Sequence, residues 1–155
     1  MRITTEVRGG NRLGNKLRQI RERLERNRGV LVGLPKGLGS YDDGAPIAVI
    51  AAIHEFGSAD GLIPERSFLR APLRQSADEL KAQWRKLLPK VVSGELTMHQ
   101  TMDQVGAMAA AVSQEAIAAG IQPGNADATV AHKGSSKPLI DTGRLRQSIT
   151  HVVED

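Results

Sequence analysis

APIAVIAAIHEFGSADGLIPERSFLRAPLR, Ala45 to Arg74, is the stretch whose reading decides the fold. Pro46 suits the first turn of a helix, because its missing N–H has no intrahelical partner there anyway. Ile47 to Phe56 then reads as a short helix, apolar nearly all round and closed by Gly57. Apolarity on every side implies burial on several sides, which a small domain supplies with difficulty, so a subunit interface is expected to cover one of them. Ser58 to Ile63 is a turn, and Pro64 fixes a bent or extended approach to the next element. From there Leu69, Leu73, Ala77, Leu80, Trp84 and Leu87 recur at three- and four-residue spacings. That pattern predicts a long amphipathic helix over about 68–88, with Pro72 in its first turn and Pro89 ending it. Phe68 and Trp84 read as core residues. Arg66 and Arg70 sit where positive charge opposes the helix dipole, so they are expected to meet carboxylates or a partner.

Upstream, Arg2 to Val7 reads as a first strand and Gly9-Gly10 as a breaker. Leu13, Leu17, Ile20 and Leu24 put four aliphatics on one stripe of a helix spanning about 12–28. Its other faces carry Arg12, Lys16, Arg18, Arg21, Arg23 and Arg26. The simplest reading packs this helix on a sheet, and Gly29 closes it. Val30 to Leu34 is a strand ended by Pro35. Lys36 to Gly44 is a glycine-rich loop without GxxxxGK[ST], so it is no phosphate cradle.

Downstream, Thr97-Met98-His99-Gln100 matches a capping box. It opens a second long helix, about 98–119, stopped by Gly120. Met98, Met102, Val105, Ala109, Val112 and Ala116 form its expected inner stripe. Ile121 to Pro138 is polar and rich in Gly, Pro and Ser, a long loop. Asp141 or Thr142 is placed to cap a short turn over Gly143 to Gln147. Ser148 to Val153 alternates and is β-branched, a last strand expected to pair with Val30 to Leu34.

The fold class expected is therefore α+β. A small antiparallel or mixed sheet (strands near 2–7, 30–34 and 148–153) packs against an N-terminal helix and two long antiparallel helices, about 68–88 and 98–119. The 155 residues suit one domain, with mobile loops at 36–45 and 121–138.

Composition narrows the function classes. There is no cysteine, hence no disulfide or thiolate chemistry. The opening MRITTEVRGG has no apolar h-region, so no signal peptide is expected. The longest apolar run, Ala45 to Ile53, is too short to cross a bilayer. Formal charge is +4, and residues 1–28 hold nine Arg or Lys against three Glu, a local +6 that leaves −2 elsewhere. Such asymmetry can mark a nucleic-acid footprint or one solvated face. Only four residues are Phe, Trp or Tyr, few for stacking on single strands. His54-Glu55 invites a zinc reading, but HExxH needs histidine where Ser58 stands. No GxSxG or SxxK is present. No enzyme, metal or cofactor is expected.

Two blocks carry a resemblance. His54-Glu55-Phe56-Gly57, followed after a gap by Ile63-Pro64-Glu65-Arg66-Ser67-Phe68-Leu69-Arg70, resembles the tail-component family of long-tailed phages and prophages. Lys133 to Ile149, KGSSKPLIDTGRLRQSI, resembles the C-terminal signature of the same family. A related ending appears in Mu-like virion morphogenesis proteins. With the helices between them, the blocks cover roughly residues 45–153. The family often has Pro where this chain has Ser67.

The resemblance implies a structural virion protein at the head–tail junction, a tail-completion or neck component. It would act as a homo-oligomeric ring beside connector and tail proteins, near DNA, reached from the host cytoplasm during assembly, with no membrane role. It also implies interface residues: His54, Glu55, Phe56, Gly57, Pro64, Arg66, Phe68, Arg70, Lys133, Lys137, Asp141, Arg144 and Arg146. Arg66, Phe68 and Arg70 would lie at a subunit contact, and loops 36–45 and 121–138 would dock neighbouring rings. The alternative is a nucleic-acid-binding module using the basic helix 12–28.

Overall fold

The computed structural model describes residues 10–25, 29–124, 139 and 143–154. The expected strand at 2–7 lies outside them. In chain order the elements are α1 (Gly10–Leu24), β1 (Gly29–Gly33), α2 (Ile47–Phe56), α3 (Arg70–Gln75), α4 (Ala77–Ser93), α5 (Met98–Ala119), α6 (Arg144–Ser148) and β2 (Thr150–Glu154). The fold is α+β: helices dominate, and a small antiparallel sheet packs against them.

β1 and β2 pair in the register Val30↔Val153, Leu31↔Val152 and Val32↔His151. The expected pairing of these two segments is present, with β1 one residue earlier and β2 starting two residues later than the periodicity suggested. Side chains alternate across a strand. Val30, Val32, His151 and Val153 accordingly form the partly buried face, while Leu31 and Val152 stand together on the exposed one.

α5 packs against both strands and against α4. Its capping box is formed: Gln100 N–H donates to Thr97 Oγ1 at 3.1 Å, and Thr97 N–H donates to Gln100 Oε1 at 2.9 Å. Of the expected stripe Met98 and Ala109 are buried, while Met102, Val105, Val112 and Ala116 are only partly so. The buried face runs through Met98, Thr101, Gly106, Ala109, Ala110, Ser113 and Ile117. At Gly106 there is no room for a side chain, because the sheet comes so close. A Cβ on Gly106 would lie 2.5 Å from His151 Cδ2 and 2.6 Å from Val30 Cγ2. Across the same junction, His151 Nε2 meets Asp103 Oδ1 at 2.9 Å.

The expected helix at 68–88 is two helices. The chain bends at Ser76, whose φ, ψ of −89°, 8° leave the helical region between α3 and α4. Pro89 does not end α4; it lies within the helix, which runs on to Ser93. A proline there removes one hydrogen bond, but the end is set by Gly94, whose φ of 86° supplies the left-handed turn glycine adopts without strain.

α1 is also corrected. It ends at Leu24 rather than near residue 28, and Gly29 begins β1 instead of closing the helix. Its main neighbour is α4, not the sheet. Arg23 Nη1 donates to the Val92 carbonyl at 3.0 Å, favourable near a helix C-terminus. Leu13 and Leu17, expected to be packed, are 64% and 59% exposed.

The core gathers Ile47, Ala51, Phe68, Ala110, Ile117, Leu145 and Ile149, with Leu38, Tyr41 and Leu69 against it. The 36–45 loop is joined by hydrogen bonds from Gly44 N–H to the Tyr41 carbonyl, Tyr41 N–H to the Ala45 carbonyl, and Ile47 N–H to the Gly39 carbonyl.

Gly106→Ala weighs a gain in helix propensity of about 1 kcal/mol against overpacking of about 1–3 kcal/mol. The obstructing atoms belong to a valine, stiff at χ1, and to a histidine tied to Asp103. The expected outcome is a net loss of about 1–2 kcal/mol in urea denaturation; unchanged or higher stability would show that the sheet can slide off α5.

Candidate functional site

The block HEFG…IPERSFLR folds around one carboxylate. α2 buries a single stripe, Ile47, Ala51 and Glu55, at spacings of four. The third member is acidic and only 4% exposed. An unpaired buried charge is very costly, so it must be hydrogen-bonded on all sides. Glu55 Oε1 accepts from the Ser67 hydroxyl at 2.8 Å, from Arg70 N–H at 3.0 Å and from Arg70 Nε at 2.9 Å. Oε2 accepts from the N–H groups of Phe68 and Leu69 at 2.8 and 2.9 Å. Three backbone donors at the start of α3, which the helix itself leaves unpaired, are thus closed by a side chain from another helix. Burial works against the charge of Glu55. The N–H groups of Leu69 and Arg70, the Ser67 hydroxyl and the Arg70 guanidinium outweigh it and hold the carboxyl below the usual glutamate range.

Arg70 extends the cluster. Its Nη2 donates to the Glu55 carbonyl at 2.9 Å and to Glu65 Oε1 at 2.8 Å. Its guanidinium lies 4.4 Å from the centre of the Phe56 ring, a cation–π contact. The link between α2 and α3 is held just as tightly. Gly57 has φ 80°, and a Cβ there would stand 3.2 Å from both the Glu65 nitrogen and the Ile63 carbonyl oxygen. Arg66 N–H donates to the His54 carbonyl at 2.7 Å. Asp60 organises the turn, accepting from the Ser58 hydroxyl and from Leu62 N–H. The Ser58 bond leads the causes that lower its carboxyl.

Arg66 is 7% exposed, and burial lowers its guanidinium from the ordinary arginine range. Nε donates to the Pro123 carbonyl at 2.7 Å and Nη2 to the Gly124 carbonyl at 2.8 Å. It clamps the chain leaving α5 to the start of the Arg66–Arg70 segment.

These positions change the expected subunit contact. Phe68 is 0% exposed and sits in the chain's own core, and Arg66 is nearly as deep. Both are used inside the subunit, because Glu55 draws their segment inward. Arg70 is partly exposed, while Phe56 at 63% and Pro64 remain at the surface. His54 and Gly57 are half-buried. Arg144 is exposed, meeting Asp42 Oδ1 at 3.1 Å and the Ser40 carbonyl at 3.3 Å, and Arg146 is also exposed. Gly143, at φ 75°, holds the N-cap position of α6. Lys133, Lys137, Asp141 and most of the 121–138 loop lie outside the described residues. Ser67 and Glu65 were missed as working residues. A signal for Glu55 was present: it falls four residues after Ala51 and eight after Ile47.

Among the described residues no group of His, Asp or Glu could hold a metal ion, and no helix is long and apolar enough to cross a membrane. Protein-family models, curated proteins and solved structures give no match to this chain.

Glu55→Gln leaves donors facing a poorer acceptor, and the expected loss is about 2–4 kcal/mol at neutral pH. The sign with pH follows from the lowered carboxyl. Its stabilisation is full above the ordinary glutamate range, about pH 4–5, and disappears as pH falls through the lower folded value. Wild type and variant should therefore converge in urea denaturation as pH falls; a gap independent of pH would mean the lost contribution does not depend on ionised Glu55.

Proposed function

We propose that this chain is a structural virion protein of a phage or prophage, acting as a tail-completion or neck component at the head–tail junction. The supporting observation is that the HEFG and IPERSFLR block, which carries the resemblance, is the block this fold builds around Glu55. Pattern and packing converge on the same residues. A second support is α2 itself. It buries only Ile47, Ala51 and Glu55, leaving Val49 at 52% and Phe56 at 63% exposed. A rigid subunit with an uncovered apolar helix suits assembly into a larger body.

The nucleic-acid reading draws on α1, whose Arg12, Lys16 and Arg18 are exposed. Against it, Arg21 is paired with Glu25 and Arg23 is engaged by the Val92 carbonyl. The exposed Leu13 and Leu17 stand among the same charges. Such a surface is as suited to a protein as to phosphates.

Quantitative mass spectrometry of phage-like particles from an induced culture tests the proposal. The expected result is a small fixed copy number per particle, as one symmetric ring requires. A chain left wholly in the particle-free lysate would overturn it. DNA affinity falling steeply with salt would then favour the α1 reading.

A further inference from the structure

Among the described residues, besides the Leu31–Val152 pair on the sheet, two helical apolar surfaces are uncovered, and they differ in charge. The first is built by α1 and α4. Leu13 and Leu17 are exposed on one stripe of α1, and the same stripe continues to Ile20. Ile20 opens on a groove of about 440 Å³, lined by Lys16, Arg85, Leu88, Pro89 and Val92 among others. Val92 is itself 39% exposed. The charges around this surface are mainly basic: α1 carries Arg12, Lys16, Arg18, Arg21 and Arg23 against Glu22.

The second surface is built by α2 and the turn after it. Val49 and Phe56, seven residues apart, share one side of α2. Leu62, 82% exposed, and Ile63, 37% exposed, follow in the turn. Residues 41–65 contain Asp42, Asp43, Glu55, Asp60 and Glu65 and no lysine or arginine. All but Glu55 are exposed. Among the described residues two arginines reach this surface, Arg70, bonded to Glu55 and Glu65, and Arg144, paired with Asp42, which leaves Asp43 and Asp60 without an ion pair there.

We infer that the α2 surface of one copy of this chain docks on the α1–α4 surface of the next. The occupant of each surface is a second copy, because each supplies what the other lacks. Both present apolar side chains, one ringed by cations and the other by carboxylates. A like-with-like contact would set cations against cations, or carboxylates against carboxylates, and charge complementarity selects the mixed pair. Different surfaces meeting make a heterologous contact, which propagates from copy to copy until its rotation closes a ring or fails to. Closure into a ring rests on the head–tail junction reading; the pairing of the two surfaces does not.

Sedimentation velocity on the purified full chain and two variants tests the pairing. Leu13→Gln with Leu17→Gln disables the basic surface, and Val49→Gln with Leu62→Gln disables the acidic one. All four positions are exposed, and circular dichroism melts confirm that each variant folds. Wild type is expected to gain mass with concentration, and each variant to stay monomeric over the same range. An equal mixture of the two variants should form a species of two chains and nothing larger, since one good pair of surfaces remains. Raising salt should weaken wild-type association several-fold as the charges are screened. The pairing is overturned by a wild type monomeric up to about 1 mM, by either variant still self-associating, by no complex in the mixture, or by association indifferent to salt. Failure here, with the chain found in particles, removes this pairing and leaves the virion reading standing. The pairing without the chain in particles does the reverse.

Discussion

A buried carboxylate with nowhere to go is the constraint on which this structure depends. Glu55 lies on the only stripe of α2 that faces the core. Turning the stripe away would expose Ile47 and Ala51, so the charge stays inside and the chain is arranged to receive it. Five donors do so, three of them backbone N–H groups at the start of α3. Those N–H groups would otherwise be unpaired helix ends beside buried Phe68. Each problem solves the other. The solution also fixes where the turn between them runs, and glycine suits position 57 because its φ is 80° and a Cβ would stand only 3.2 Å from backbone atoms of Glu65 and Ile63.

A second constraint acts where α5 meets the sheet. The sheet joins residues 29–33 to residues 150–154, so it closes late in the chain and over a long loop. Two strands alone are marginal in water. Their stability has to come from α5, and close approach demands small residues there. Gly106 beneath Val30 and His151 meets that demand.

The fold class, the capping box, α2 with its glycine stop and the strand pair were legible because local signals set them: caps, breakers and periodicity. What was not legible was decided by packing. The α5 stripe misled because apolarity was taken to mean burial, whereas Thr101, Gly106 and Ser113 are buried for their size. Pro89 misled because a proline near a helix end costs one hydrogen bond and does not itself turn the chain. At the site, arginines flanking Phe68 look like a surface pattern in sequence. Only the position of Glu55 reveals that the segment faces inward.

That reversal bears on how the chain meets others. If Arg66 and Phe68 serve the interior, the residues left to recognise a partner are those the interior did not need. On α2 these are Val49 and Phe56, on the side away from Glu55. On α1 they are Leu13 and Leu17, stranded when the helix took α4 rather than the sheet as its neighbour. Scattered surface hydrophobes need no explanation, but grouped ones rimmed by charge do. Each group here sits on a helix with its own regular spacing, and each rim has the opposite sign to the other. An assembly made of one kind of subunit requires that its two meeting surfaces be encoded in a single chain, and a basic apolar helix with an acidic apolar helix is a simple way to encode them.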